Sequence, residues 1–292
     1  MSAGIWMRLL VLAVLWGGSF LFVEIALTEL PPLSVVWARV ALAAMILGTV
    51  VAVTGQGLPR RHRDWAALAV MGLLNNVIPF SLFALAQGQI TGGLAAILNA
   101  TTPLFALVVA HLATADERIT RAKTIGLTVG LGGVVVMTGG GSGAPGAMAM
   151  CLAAALSYAL AGVWGRRFRR LGLAPLTSAF GQVACASLIL LPLWLWQDRP
   201  WTLPIPSGPV LAAVLGIAAL STALAYLLYF RLLAEAGAVN LLLVTFLIPL
   251  SATALGALIL GERLHLAEVA GFGLIALALS VIDGRLWRGV RT

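Results

Sequence analysis

Ten apolar segments divide this chain, and they constrain its fold more than any other feature. They lie at about 5–27, 33–53, 66–86, 92–112, 121–139, 145–165, 175–196, 208–231, 237–260 and 267–284. Each is close to the roughly 20 apolar residues that a helix needs to cross the hydrocarbon core of a bilayer. Lipid cannot satisfy backbone polar groups, and the sequence lacks the alternating pattern of a barrel strand. The segments therefore predict an all-α membrane protein with ten transmembrane helices.

The balance of apolar and charged residues excludes a soluble domain of this length. Of the 292 residues, 61% are hydrophobic and 10% are charged, whereas a soluble domain carries about 25% charged residues. The net charge of +8 could indicate a nucleic-acid partner, but the basic residues lie between apolar segments, which is typical of residues that set membrane topology. Cys151 and Cys185 both lie inside apolar segments and form no disulfide framework or metal motif. The expected partner is the lipid bilayer, and no nucleic acid, metal or cofactor is expected.

The distribution of basic residues predicts the orientation of the chain. With the N-terminus in the cytoplasm, fifteen of the eighteen basic residues fall in cytoplasmic segments. Arg199 and Arg263 fall in outer loops, and Arg39 falls inside the second segment. This asymmetry follows the positive-inside rule. It predicts cytoplasmic N- and C-termini and a multi-pass protein of the bacterial inner membrane.

An internal repeat divides the chain into two halves. A proline-containing apolar segment, an acid–arginine turn and a Gly-containing apolar segment occur in this order twice. The first copy begins at Pro103 and turns at Glu117-Arg118, and the second begins at Pro249 and turns at Glu262-Arg263. Because five segments per half is an odd number, the second half must insert upside down. The sequence predicts two five-helix repeats, 1–142 and 143–292, in an inverted arrangement that secondary transporters share.

Polar and aromatic residues mark one face of several segments. Asn76, Phe80 and Phe83 share a helical face of the third segment, and Thr222 and Tyr226 lie 146 residues after Asn76 and Phe80 in the eighth. We interpret this face as the lining of a substrate cavity, since polar groups within lipid are costly. The alternative is ordinary interhelical packing. The candidate substrate-binding residues are Trp16, Ser19, Asn76, Phe80, Phe83, Asn99, Thr102, Tyr158, Trp164, Ser221, Tyr226, Thr245 and Phe246.

Two charged residues and three prolines are candidates for structural or gating roles. Glu24 and Arg39 lie at similar depth near the outer ends of the first two segments, so we expect an ion pair between them. Pro79, Pro103 and Pro249 fall near segment centres, where each removes a backbone hydrogen bond and favours a kink. The fifth and tenth segments carry glycines but no central polar group, which predicts a scaffold role.

No catalytic motif is present, and this bears on the function. The sequence contains no HExxH, GxSxG, Walker or zinc-ligand pattern, and none of its ten acids lies at a segment centre. A carboxylate-centred proton antiport is therefore only weakly supported. The lack of a central charge predicts a substrate that is neutral overall, zwitterionic or amphipathic. It also disfavours a phosphate-bearing substrate and a membrane-embedded enzyme.

Several short motifs resemble those of the drug/metabolite transporter superfamily, EamA type. They are Trp16-Gly17-Gly18-Ser19-Phe20, the stretch from Pro32 to Arg39, and the repeated proline, Glu-Arg and glycine pattern of each half. The resemblance implies ten helices in a five-plus-five inverted repeat. It also implies a central cavity lined by the first, third, fourth, sixth, eighth and ninth segments. Within this superfamily the chain resembles the bacterial aromatic amino-acid exporters.

The sequence therefore favours an exporter of amino acids, preferentially aromatic or large neutral ones, that works by alternating access. The alternative within transporters is an efflux carrier for drugs, cationic compounds or other small metabolites. A membrane-embedded enzyme and a channel are alternatives of a different class. Monomer and homodimer both remain open.

Overall fold

The computed structural model of the protein describes residues 3–113, 121–139, 144–241, 244–263 and 265–283. Most of these residues are helical, and no strand occurs among them. The Glu117-Arg118 turn of the first repeat copy and the predicted boundary between 142 and 143 lie outside the described residues.

The helices are named here in chain order. They are α1 Ala3–Ala26, α2 Pro32–Val53, α3 His62–Gln87, α4 Gly92–Ala113, α5 Arg121–Gly139, α6 Pro145–Leu171, α7 Pro175–Gln197, α8 208–241, α9 244–260 and α10 Leu266–Asp283. A short 3₁₀ helix, Pro200–Thr202, lies between α7 and α8. Proline begins α2, α6 and α7, where its fixed φ suits the first helical position.

Seven of the described helices are long and apolar enough to cross a membrane, namely α1–α4 and α6–α8. Shorter apolar stretches, Thr124–Val136, Leu247–Leu260 and Val269–Ala278, lie in α5, α9 and α10. The all-α membrane fold is thus confirmed. The count of ten crossings and the inverted arrangement of the two halves stay predictions.

Four helices of the bundle, α3, α4, α8 and α9, are irregular at defined places. A π-helical segment, Leu73–Val77, interrupts α3, and a second one, Ala219–Leu224, begins 146 residues later in α8. Pro79 follows the first of these segments, and Pro103 follows a turn at residues 100–101 that interrupts α4. Pro249 lies inside α9. π-Helical segments widen a helix by one residue and often accompany functional sites.

The last helices of the two halves, α5 and α10, pack side by side along their length. Gly133 makes the closest approach, because a Cβ there would lie 2.7 Å from the backbone oxygen of Gly271. Gly130 is similarly crowded by Leu104 and Ala278. Small residues at such a crossing let two helix backbones approach closely. The pairing of α5 with α10 lies within one chain.

We expect Gly133→Ala to destabilise the protein by about 1–3 kcal/mol, because the new methyl group forces α5 away from α10. Gly132→Ala is the matched control, since a Cβ at Gly132 meets no atom within 4 Å. The control should be neutral or stabilising by up to about 1 kcal/mol, owing to the helix propensity of alanine. Thermal unfolding in detergent measures both variants. Equal melting temperatures would show that the α5–α10 contact tolerates a methyl group.

The two ends of the bundle differ in charge. One end, called here the arginine-rich end, carries Arg60, Arg61, Arg63 and the run of arginines between 166 and 170. At the opposite end, the backbone N–H and hydroxyl of Ser34 both donate to Asp198, at 2.7 and 2.8 Å. Hydrogen bonds from Ser207 hold the pKa of the Glu29 carboxyl below its usual value. These contacts fix the α7–α8 connection against the N-terminus of α2.

Candidate functional site

A network of amides and one tyrosine joins α3, α7 and α8 in the bundle interior. The Tyr226 hydroxyl donates to Asn76 Oδ1 at 2.9 Å. Asn75 donates to Gln182 Oε1 at 2.9 Å and to the Tyr226 oxygen at 3.3 Å. Asn76 donates to the same Gln182 oxygen at 3.3 Å. We call Asn75, Asn76, Gln182 and Tyr226 the amide–tyrosine network.

The π-helical segment of α3 explains why two consecutive asparagines enter the same network. Neighbouring residues of a regular α-helix point about 100° apart. The extra residue in Leu73–Val77 changes this phase. The segment is also braced from α6, where the Ser157 hydroxyl donates to the carbonyl of Leu74 at 2.6 Å.

Tyr226→Phe should destabilise the protein by about 1–3 kcal/mol, because it leaves the buried Asn76 amide oxygen without its donor. Tyr229→Phe is the control, since it makes the same chemical change on the same helix and the contacts of Tyr229 with Trp16 and Phe230 are ring contacts, which the change keeps. The melting temperatures of both variants measure the effect. A loss in Tyr229→Phe as large as that in Tyr226→Phe would contradict this role of the hydroxyl.

Arg39 of α2 lies beside this network rather than at the membrane surface. Its Nε donates to the Thr222 hydroxyl at 2.9 Å, and its guanidinium carbon lies 3.6 Å from the centre of the Phe80 ring. Only 8% of the residue is exposed. The charge is about 10 Å along α2 from Pro32, given the 1.5 Å rise per residue. The Arg39 charge thus lies against two residues of the predicted polar and aromatic face, and the argument against anionic substrates does not take this charge into account.

Glu24 does not pair with Arg39, so the expected ion pair is absent between these two described residues. Glu24 instead accepts the backbone N–H of Gly92 at 2.9 Å, and Glu262 accepts the same N–H at 3.0 Å. Glu262 also accepts the N–H of Gly93 at 3.3 Å. The N-terminus of α4 has unpaired N–H groups and a partial positive charge, which attract both carboxyl groups.

Aromatic residues from four helices of the bundle interior contact one another. Phe83 contacts Phe20 edge-on with centroids 5.6 Å apart, and it stacks on Tyr158 at 6.2 Å. The Trp16 ring lies 5.6 Å from that of Tyr229. These are ordinary separations for favourable ring contacts. The residues come from α1, α3, α6 and α8.

Two serines complete the interior part of the predicted set. Ser19 of α1 is 8% exposed, and Ser221 of α8 is 1% exposed. The Ser221 hydroxyl has no hydrogen-bond partner among the described residues. A buried hydroxyl without a partner costs about 1–3 kcal/mol, so Ser221 is a donor that a bound ligand could satisfy.

Other predicted residues lie elsewhere. Trp164 is at the arginine-rich end, where it donates to the Ala67 carbonyl at 3.0 Å and carries Arg167 over its ring at 3.7 Å. There it lines a pocket of about 470 Å³ together with residues of α3 and α6. The Thr102 hydroxyl donates to the Asn99 carbonyl at 2.7 Å and closes the turn in α4. Thr245 is half-buried in α9, and the Phe246 side chain lies outside the described residues.

The sequence did not predict that α2 and α7 contribute residues to the interior site. Gln182 carries an amide inside the apolar segment 175–196. Because burying a polar side chain within the bilayer costs free energy, its presence there could have indicated a functional residue. The regular helical period does not place Asn75 on the face of Asn76, so periodicity gives no signal for it. Arg39 was assigned to the membrane edge, although its contacts place it with Phe80 and Thr222.

The chain matches the model of a known transporter family. The model of the EamA-like transporter family matches residues 3–139 and again residues 145–282. The chain belongs to the EamA-like transporter family. Family members are transporters, which points to transport rather than catalysis.

Relatives across bacteria agree with this assignment. The chain is similar to the uncharacterized inner membrane transporter YedA of Escherichia coli K12, with 26% identity over 94% of this chain and 89% of YedA. It is also similar to the uncharacterized transporter YvbV of Bacillus subtilis, with 26% identity over 93% and 89% of the two chains. Protein PecM of Dickeya dadantii is 27% identical over 92% of this chain and 88% of PecM.

A solved crystal structure shares the fold. It matches with a TM-score of 0.67 at 16% identity, over 96% of this chain and 97% of the other. Together with the apolar helices, the relatives show that this EamA-family member is a multi-pass transporter of the inner membrane.

Proposed function

We propose that the protein exports amino acids, preferentially aromatic or large neutral ones, from the cytoplasm. The observation that carries this proposal is that the stacked rings of Phe83 and Tyr158 reach the amide–tyrosine network, since Tyr158 lies close enough to Tyr226 and Arg39 to interact electrostatically with both. Small-molecule sites combine apolar and aromatic walls with a few placed polar groups. Aromatic walls suit an aromatic or large apolar side chain, and amide and hydroxyl groups suit its amino and carboxyl groups.

The contacts that surround this site join the two segments that the family model matches. Tyr226 and Thr222 belong to the second segment, and their partners Asn76 and Arg39 belong to the first. In the proposed cycle, the two segments form an inverted repeat and rock against each other around the site. The arginine-rich end faces the cytoplasm under the positive-inside rule. Substrate enters from that end and leaves at the opposite one.

Efflux of cationic drugs is the rival function, because aromatic rings also attract cations. The two functions differ in what the site does with a carboxylate. An exporter of amino acids must accommodate that group, whereas a cation carrier has no need to.

Purified protein in liposomes tests the proposal. We expect saturable counterflow of labelled phenylalanine and tryptophan, and a clear loss of that flux in Trp16→Ala. Labelled glutamate and lysine are the specificity controls, and a cationic dye tests the rival. Phenylalanine flux equal to that of empty liposomes, with dye flux above it, would replace amino-acid export by drug efflux.

A further inference from the structure

We infer that Arg39 binds the carboxylate of the transported substrate, so that the substrates are small amphipathic carboxylates rather than cations. This inference rests on the proposed function, because it assigns the charged group of the same site. It begins from the surroundings of the guanidinium.

The Arg39 charge is buried without a counter-ion among the described residues. A guanidinium stays protonated in proteins, so burial cannot be relieved by loss of its proton. Among the described residues, no carboxylate lies within ion-pair distance of Arg39; Glu24 binds the N-terminus of α4 instead. Intramembrane arginines nearly always pair with an acid or line a functional pathway. The missing counter-ion is therefore expected to arrive with the substrate.

The guanidinium also has hydrogen-bond donors to spare. It carries five N–H groups. Among the described residues, its one hydrogen bond is that of Nε to the Thr222 hydroxyl, at 2.9 Å. The Phe80 ring covers a face of the planar group, with the carbon 3.6 Å from the ring centre. The Nη donors, which form the edge that grips a carboxylate in a bidentate pair, remain for a ligand.

Groups on the helices that contact Arg39 fit the rest of an amino acid. Tyr158 and Tyr226 lie close enough for electrostatic interaction with the guanidinium. Ser221 precedes Thr222 in the π-helical segment and holds the hydroxyl that has no partner among the described residues. Tyr158 continues into the ring stack with Phe83. A carboxylate on Arg39 would thus place an apolar side chain toward these rings.

The charge also favours a monovalent group over a phosphate monoester. One arginine balances one carboxylate, whereas a phosphate near −2 would leave net negative charge in a low-dielectric interior. The same charge repels a cation that has no carboxylate. Arg39 therefore separates amino-acid export from cation efflux.

The Arg39–Thr222 hydrogen bond joins the two matched segments of the chain. When these segments part to admit substrate, Arg39 loses this partner. A carboxylate can then replace it, so that substrate binding compensates for the separation.

Phenylalanine and phenylalanine amide, which differ only in the carboxylate, provide the test. In proteoliposomes, Arg39→Gln should lower phenylalanine transport by roughly 10- to 100-fold, the equivalent of a lost charge-assisted hydrogen bond. Transport of the amide, a cation that Arg39 repels, should start lower than that of phenylalanine in the wild type and should be unchanged or raised in Arg39→Gln. Phenylalanine transport by Arg39→Lys should fall between that of the wild type and that of Arg39→Gln. An ammonium keeps the charge but lacks the paired N–H donors with which a guanidinium binds a carboxylate. Arg60→Gln, which removes an exposed arginine, is the matched control and should match wild type for both compounds.

Failures of the two proposals differ in this experiment. No wild-type flux of either compound would refute amino-acid export. Wild-type flux of phenylalanine, with equal losses for both compounds in Arg39→Gln, would overturn the role of Arg39 alone. If Arg39→Gln does not fold, Arg39→Lys decides, because an unchanged ratio of phenylalanine to amide KM would overturn the assignment.

Discussion

Gly17→Ala should abolish most transport and lower stability by about 3 kcal/mol, near the upper end of the usual cost of overpacking. The position allows α1 to cross α9 at very short range. A Cβ at Gly17 would overlap the Ser251 side chain and lie 2.8 Å from the backbone nitrogen of Ala252. The Ser251 hydroxyl donates to the Ala13 carbonyl of α1 at 2.7 Å. A methyl group would break this bond and displace backbone rather than a flexible side chain.

The adjacent glycine is the control for this prediction. A Cβ at Gly18 would meet Leu255 and Phe22 at 3.8 Å, which is an ordinary van der Waals contact. Gly18→Ala should therefore keep near-normal transport and melting temperature. Both variants are measured in liposomes and by thermal unfolding in detergent. Equal behaviour of the two would show that α1 and α9 do not need this close contact.

The Gly17 contact shows what the sequence could and could not predict. The Trp16-Gly17-Gly18-Ser19-Phe20 motif indicated the family, but its two glycines look alike in the sequence. Only the packing of α9 distinguishes them. Helix positions were easier to predict, because membrane thickness fixes segment length. Their ends differ where polar residues prolong a helix, as in α6, which continues through the arginines to Leu171.

The interior site was predictable in part for the same reason. The free-energy cost of placing a polar side chain in lipid indicated Asn76 as a candidate. The helical period placed Phe80 and Phe83 on the same face. The structure brings Asn76 into contact with Tyr226 of α8, the candidate that lies 146 residues after Phe80. Periodicity failed at Asn75 because a π-helical segment changes the phase locally. It failed for Arg39 because depth along a helix does not reveal which neighbours a long side chain reaches.

Glu262→Ala should open the end of the bundle opposite the arginine-rich one. Glu262 lies in the second matched segment and accepts two N–H groups of α4 in the first. Glu24 still accepts the Gly92 N–H in this variant, so the Gly93 N–H is the group that loses its carboxylate partner. Loss of a charge-assisted contact of this kind costs about 1.5–3 kcal/mol. That corresponds to roughly a 10- to 100-fold change in the balance between closed and open forms. A Ser19→Cys reporter should then react that much faster with an impermeant maleimide added from this end, and not from the other.

Glu235→Ala is the matched change at the arginine-rich end, and we expect a smaller effect there. Glu235 of α8 pairs with Arg8 of α1 and with Arg231, the latter at 3.2 Å. The Arg8 and Glu235 side chains are 36% and 37% exposed, and exposed ion pairs contribute about 0–1 kcal/mol. Labelling of the reporter from the arginine-rich end should therefore rise only about 2- to 5-fold. High salt should reproduce this rise in the wild type, because exposed charges are screened, but should leave the Glu262 contact closed. If both variants instead raise labelling from the same end, the two contacts do not act as opposite closures of an alternating-access cycle.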